Sequence, residues 1–531
     1  MKRICKALLS LLLSAVVLLS ALLPVFAAGR TDLKVPVVLI HGMGDDILNK
    51  KGQNVYTLNQ PKGGVSAALK TAAPLLLKAL VTERKEAWDA CRKEMIPLIK
   101  SCFGPFFLDK NGEPSNGTHC FWDWDHGNLP NLKTETGYGW EGYDFWYDWR
   151  VDPYAMAKSL RAYIRDVKKA TGSDKVDIIA RSAGNLPLIA YLEKYGYADI
   201  RCVVFKVSPL KGMDLTSALL SGKMRFDAAS ILRYKQLGEE VQIEDALLNE
   251  AVNLLLGMAY DVMALDLAAW SLNYICRRAY SEILVPLLRQ TYARFPAVWA
   301  MVDEEDFDRA RENIFEGYEK EYALLLKKID RYDKRVRKRL DELILDAKAH
   351  GVKIAVLAKY GNFQEPPIGK HSNDINDNMI ALSETSFGAT TAKFGDTLSA
   401  PRYLWKVVTG KKKYISPDKM VDASTCLLPD TTWFIYGSGH AQHREMIEDF
   451  ISNFFAANGK LTVFDRPDMP QFVMDNGEGA LVPITAENAP HLETPRHAPN
   501  RGSGKWKLPR LIGVAAKMLL QKRVKNETRK K

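Results

Sequence analysis

A serine hydroxyl attacks an acyl carbon only when the chain holds it clear of the packed interior and a base takes its proton. Ser182 stands where the first condition can be met. Lys175 to Tyr191, KVDIIARSAGNLPLIAY, reads as a buried strand, a tight turn and a helix, with the serine at the turn. The local pattern is small-x-Ser-x-Gly, Ala180-Arg181-Ser182-Ala183-Gly184, with a methyl group at Ala180 where glycine is usual. A base can come from far along the chain. Thr431 to Tyr436, TTWFIY, reads as a last strand and runs into Gly437-Ser438-Gly439-His440-Ala441-Gln442-His443 and a helix from Arg444 to Phe455. His440 directly follows the Gly-rich turn and leaves a suitable loop before the helix; His443 is the alternative, better placed to begin that helix.

Lys34 to Ile40, KVPVVLI, is an apolar β-branched run of the kind that forms a buried central strand, and it leads into His41-Gly42-Met43-Gly44. A serine on a strand-to-helix turn, with an HG loop after an earlier strand, is the layout of an α/β-hydrolase. In that layout the loop after the early strand and the residue after the nucleophile each supply an N–H to the oxyanion hole, which by position makes the donors Met43 and Ala183. Arg201 to Ser208 reads as the next strand and Lys353 to Lys359 as a later one. Between them Lys211 to Gly351 breaks the rhythm with mostly helical sequence. Ala246 to Ile275 there reads as one helix, apolar on more than one face, whereas Glu304 to His350 is dense in charge, as a solvated helix pair would be. The expected fold is α/β: an α/β-hydrolase with a mostly parallel central sheet and a large helical lid or cap insertion. The expected organisation is a signal peptide over 1–27, a core over 28–210 with an insertion at 45–143, the helical lid over 211–351, a second core part over 352–464, a linker over 465–504 and a basic tail over 505–531.

Other blocks sharpen this. Tyr143 to Arg150, YDFWYDWR, reads as a strand ending in Y-D-W-R ahead of an amphipathic helix from Pro153 to Lys169, with Asp148 and Arg150 as a structural pair holding the loop. Together with the HG loop and the serine turn, this resembles the lecithin:cholesterol acyltransferase and related lipase family. Phe295-Pro296-Ala297-Val298-Trp299 is similar to that family's F-P-S-x-x-W stretch, with Ala for Ser. Asp374-Ile375-Asn376-Asp377-Asn378-Met379-Ile380-Ala381-Leu382-Ser383 is similar to its D-G-x-V-x-x-x-S segment, which carries the acid. The resemblance makes Asp377 the acid, with Asn378 in place of Gly, and Asp374 the runner-up. The order Ser182, Asp377, His440 is the one expected of α/β-hydrolases. The resemblance implies a serine carboxylester hydrolase, lipase-like, acting on lipid or other acyl esters, with no metal or organic cofactor called for. The same family admits an acyltransferase or phospholipase. A reading of another class, a non-catalytic surface-binding protein on a hydrolase scaffold, is motivated by Arg181 and Ala180 at the turn.

Composition limits the partners. The chain has 531 residues, 47% of them hydrophobic, enough for a large core. Lys2, Arg3 and Lys6 precede an apolar run from Ala7 to Phe26 and a small-residue cleavage site, Val25-Phe26-Ala27, which reads as a secretory signal peptide, with an uncleaved anchor as the alternative. From Arg496 onward, twelve Lys or Arg stand against Glu527 alone, so the whole excess of +11 lies from Arg496 to the end and the rest of the chain is balanced. Nucleic acid is therefore not an expected partner of the body. The apolar patch of the tail, Leu511 to Leu520, is too short to span a bilayer, and with its flanking cations it suits an anionic membrane or wall polymer. Six cysteines follow the signal segment without metal-ligand spacing; they admit one or two disulfides, Cys102 to Cys120 being the most local pairing, or buried thiols. Asn116-Gly117-Thr118 fits a glycosylation acceptor.

Overall fold

A computed structural model describes residues 35–492 apart from 45–46, 49–50, 57–73, 104–105, 116, 121–133, 136–140, 239–245, 262, 443–444 and 479. The expected signal peptide, Asn116, His443 and the basic tail lie outside the described residues, as does the side chain of Cys102. Cys91, Cys202, Cys276 and Cys426 are free thiols.

Nine strands form one sheet: β1 (Val37–Ile40), β2 (Thr134–Glu135), β3 (Glu141–Phe145), β4 (Val176–Arg181), β5 (Ile200–Lys206), β6 (Lys353–Tyr360), β7 (Thr432–Tyr436), β8 (Phe472–Asp475) and β9 (Leu481–Pro483). Their order across the sheet is β9-β8-β7-β6-β5-β4-β1-β3-β2. Every pairing from β3 through β8 is parallel, and β2 and β9 close the two edges antiparallel. The chain is thus α/β with a mostly parallel central sheet and many helices. From β1 it passes outward to β3, then returns beyond β1 to β4 and continues the other way. The loops leaving β1 and β4 therefore meet at the carboxyl ends of adjacent strands, the usual place for a site in such a sheet.

Alternation along the strands builds two cores. Helix α1 (Lys85–Phe103) follows β1 in the chain, while Val38, Ile40, Ile178, Val203, Phe205 and Val356 face one side of the sheet and pack with α2 (Pro153–Thr171) and α3 (Asn185–Tyr195). Val37, Leu39, Ile179, Val204, Leu357 and Ile435 face the other and meet Ile447, Phe450, Ile451 and Phe454 of a C-terminal helix, Glu445–Ala456. Helix α2 starts cleanly because Asp152 caps it, accepting from the Tyr154 N–H, and Pro153 takes the first helical position; Gly172, at φ 68°, ends it.

Between β5 and β6 the chain forms mainly helices: α4 (Asp214–Ser221), α5 (Ala228–Leu237), α6 (Ala246–Asp261), α7 (Ala264–Ala279), α8 (Glu304–Phe315), α9 (Ala323–Arg335) and α10 (Leu340–Ala349), with shorter turns between. Leu220, Leu288, Trp299, Phe307, Ile314 and Leu325 give this region a core of its own. Helix α11 (Ala400–Val408) follows β6, and α12 is the C-terminal helix Glu445–Ala456.

Three sequence expectations change. The apolar run Ala246 to Ile275 forms two helices rather than one, with Met263 between them at φ 62°. Strand β3 stops at Phe145, so Tyr147-Asp148-Trp149-Arg150 is the loop after the strand rather than its end. In that loop Arg150, fully buried, donates from Nε and Nη2 to Asp148 at 2.9 and 2.6 Å and from Nη1 to the Phe106 carbonyl at 2.7 Å. A buried guanidinium needs such a full set of acceptors, and the pair does brace the loop. Finally, Thr432–Tyr436 is not the last strand: the expected linker contributes β8 and β9 to the sheet.

Candidate active site

Ser182 sits at φ 51°, in the left-handed region that non-glycine residues seldom occupy, on a single turn of 3-10 helix that joins β4 to α3. Two glycines make this turn fit. A Cβ on Gly184 would lie 2.4 Å from the Ile40 carbonyl oxygen and 2.6 Å from that of His41, so the helix start can lie against the end of β1 only without a side chain. A Cβ on Gly42 would stand 3.0 Å from the Ser182 Cβ, which places the loop after β1 directly against the serine. The buried Asn185 donates from Nδ2 to the Ser182 carbonyl at 2.6 Å and pins the turn.

His440, almost wholly buried in the loop between β7 and α12, has Nε2 2.8 Å from Ser182 Oγ and Nδ1 2.7 Å from Asp377 Oδ2. An ionised carboxylate can only accept, so Nδ1 carries the proton and Nε2 is free to accept from the serine hydroxyl. Asp377 is fully buried and its other oxygen accepts the Met379 and Ile380 N–H groups at 3.1 and 2.9 Å. The His440 N–H also donates to the Asp377 carbonyl at 2.6 Å, tying the two loops by backbone as well. Ser182, His440 and Asp377 are thus brought into one hydrogen-bonded row, an arrangement that can move a proton off the serine as its oxygen forms a bond. Asp374 is not part of it: its carboxylate accepts from His371 Nδ1 at 2.6 Å and from Lys393. Met43 lies partly buried in the loop after β1, and Ala183 is the second residue of the serine turn, where an amide has no acceptor within the helix.

The sequence reading missed the cations that hold the histidine loop. Lys359, fully buried in β6, donates from Nζ to the Gly439 and Gln442 carbonyls at 2.9 and 2.6 Å. Arg181, the residue before the serine, donates from Nη2 to the Ala441 carbonyl at 2.8 Å. Three carbonyls around His440 are therefore fixed from two strands. Lys206 is buried one strand over, and burial together with the Lys359 and Arg181 charges holds its ammonium well below the usual lysine range. The available signal was a lysine inside each of two otherwise apolar strands, KIAVLAK and RCVVFKVS.

A second polar cluster lies beside the acid loop. The His371 N–H donates to Asp214 at 2.7 Å, and its ring lies 2.6 Å from Asp374 and 3.7 Å from Glu384. Burial, with the nearby Asp303 charge, pushes Glu384 up to about 7. Burial works against charging His371, but the bond to Asp374 and the charge of Asp214 outweigh it and raise it above the ordinary histidine value. Asp303, Glu305 and Asp306 stand close enough to share a cation. Lysine ammonium groups already meet them, Lys370 at Asp303 and Glu305 and Lys223 at Asp306.

No family model matches the chain, and no curated protein matches it. Among solved structures, a chain of a structure titled "The crystal structure of Tle4-Tli4 complex" aligns with 35% of this chain and 48% of its own length at 14% identity, with a TM-score of 0.18, too slight a likeness to carry an argument.

Proposed function

We propose that this chain is a secreted serine carboxylester hydrolase of the α/β-hydrolase type, lipase-like in substrate, related to the lecithin:cholesterol acyltransferase and lipase family. The observation that carries the reading is the row Asp377, His440, Ser182, with the serine on a strained turn at the carboxyl end of β4. In the reaction, His440 Nε2 takes the Ser182 proton while Oγ bonds to the acyl carbon. The Met43 and Ala183 N–H groups hold the developing oxyanion, and Asp377 orients the imidazolium and balances its charge. As the tetrahedral adduct collapses, the ester C–O bond breaks and the leaving alcohol takes the proton from Nε2. Water repeats the cycle: it gives a proton to Nε2, its oxygen bonds to the acyl carbon, and Ser182 departs with that proton, releasing the carboxylic acid.

Apolar surface in the helical region supports a lipid substrate. Leu255, Leu267, Trp270 and Leu272 on α6 and α7 are exposed, more large apolar surface than a helix pair needs for its own packing. On this reading the region from Lys211 to Gly351 is a lid. A fluorophosphonate probe tests the chemistry, since it reacts only with a serine whose proton a neighbouring base removes. It should label the wild-type chain and not Ser182→Ala; a wild-type chain that stays unlabelled overturns the proposal.

A further inference from the structure

Helix α11 is turned inside out. An amphipathic surface helix ordinarily buries its apolar side and shows its charges to water. Here the charges turn toward a fully buried carboxylate: Lys406, itself buried, and the half-exposed Arg402 place Nζ and Nε 3.1 and 3.3 Å from Oδ2 of Asp422, and Lys406 also donates to Ser424 Oγ at 2.7 Å. With its polar side spent on this anchor, the helix presents Leu404, Trp405, Val407 and Val408 outward, at 60, 65, 42 and 79% exposure. Positions 404, 405 and 408 follow i, i+1, i+4 spacing and form one strip. Single exposed apolar residues are ordinary, but a contiguous strip on a helix whose two cations are anchored to one buried carboxylate is not.

The next residues give the strip its chemistry. Lys411, Lys412 and Lys413 are all exposed and follow the helix after Thr409 and Gly410. Lys413 Nζ lies 4.0 Å from the ring centre of Phe464, itself 46% exposed, so a cation and an apolar ring stand together there. We propose that α11 and the Lys411 to Lys413 turn form an interfacial docking surface for an anionic lipid bilayer. Leu404, Trp405 and Val408 enter the acyl boundary, and the three ammonium groups meet lipid phosphates. An apolar strip alone would suit a second copy of the chain equally well; the adjoining run of three cations is what selects a surface bearing negative charge. This site is separate from Ser182 and does not depend on the esterase reading.

The test is co-flotation of the full chain with vesicles of phosphatidylcholine, alone or with phosphatidylglycerol. Wild type should bind the mixed vesicles, and Leu404→Ser with Trp405→Ser should weaken that binding by about tenfold or more, given the apolar area withdrawn from the bilayer. Lys411→Glu with Lys412→Glu should weaken binding to mixed vesicles while leaving the small affinity for pure phosphatidylcholine unchanged. All four positions are exposed, so melting temperatures should match wild type and separate lost docking from lost folding. Equal flotation of the Leu404→Ser, Trp405→Ser chain and wild type would overturn the proposal. So would a wild-type dimer that this variant abolishes while vesicle binding persists. Because the readout is binding, failure of the hydrolase reading would leave it unaffected.

Discussion

Asp374 and Asp377 are three residues apart, and their different neighbours decide which can serve His440. Asp377 holds Nδ1 at 2.7 Å and is fixed by two backbone N–H groups, so Asp377→Asn would leave the space filled but favour the wrong histidine tautomer. The expected loss in kcat on a soluble nitrophenyl ester is roughly 1000-fold or more. Asp374→Asn should leave that rate within a few-fold and instead loosen its contacts with His371 and Lys393, seen as a lower melting temperature. The reverse pattern would reassign the acid. The choice between these carboxylates was legible only through the likeness to the D-G-x-V-x-x-x-S segment, because it is a contact across 63 positions of chain that no local pattern encodes. One detail was legible residue by residue. Asn378, standing where the resembling segment has glycine, sits at φ 84°, a left-handed conformation that glycine or asparagine tolerates best.

At the scale of elements, the histidine loop is held by strands rather than by its own sequence. Lys359→Met would keep most of the buried volume yet leave the Gly439 and Gln442 carbonyls without their donor. That should cost about 1–3 kcal/mol of stability and let His440 drift from Ser182, lowering kcat about tenfold or more with KM little changed. Lys359→Arg, which retains a buried donor, should recover part of the rate; a Met variant with unaltered kcat would remove Lys359 from any positioning role. The apolar runs that became β1, β4, β5, β6 and β7 were readable because a strand buried on both faces needs nearly continuous hydrophobic sequence. Strands β8 and β9 were not, since edge strands are short and FVMD and LVP lie among the Pro and Gly that also mark linkers. The break between α6 and α7 was equally hidden, for Met263 adopts φ 62° without a glycine or proline to announce it. If the α6 and α7 pair forms the lid, it supplies an apolar wall for acyl chains. Turnover should then rise with chain length beyond butyrate, and a steady preference for acetate would count against the lipid substrate.

For the whole molecule, two charge distributions make separable predictions. In the interior, Glu384 is pushed up to about 7, so between its ordinary value near 4.5 and about 7 the native chain keeps a proton that the unfolded chain has released. Its stabilising share is complete below that window and lost as pH rises through it. His371, raised by Asp374 and Asp214, acts in the same direction. The melting temperature should therefore fall more from pH 5 to 7.5 in wild type than in Glu384→Gln. Along the sequence, the excess of +11 begins at Arg496, after the last described strand, while the exposed Lys411 to Lys413 follow the apolar strip of α11. Each cation near an anionic bilayer contributes about 1 kcal/mol before screening, and salt weakens that attraction but not apolar insertion. Removing Lys505 to Lys531 should leave hydrolysis of a soluble ester unchanged and reduce binding to anionic vesicles chiefly at low salt. The Leu404→Ser, Trp405→Ser chain should instead lose the part of binding that survives high salt. Flotation across a salt series resolves the two: if the truncated chain and wild type bind alike at low salt, the tail takes no part in docking and the body alone reaches the membrane.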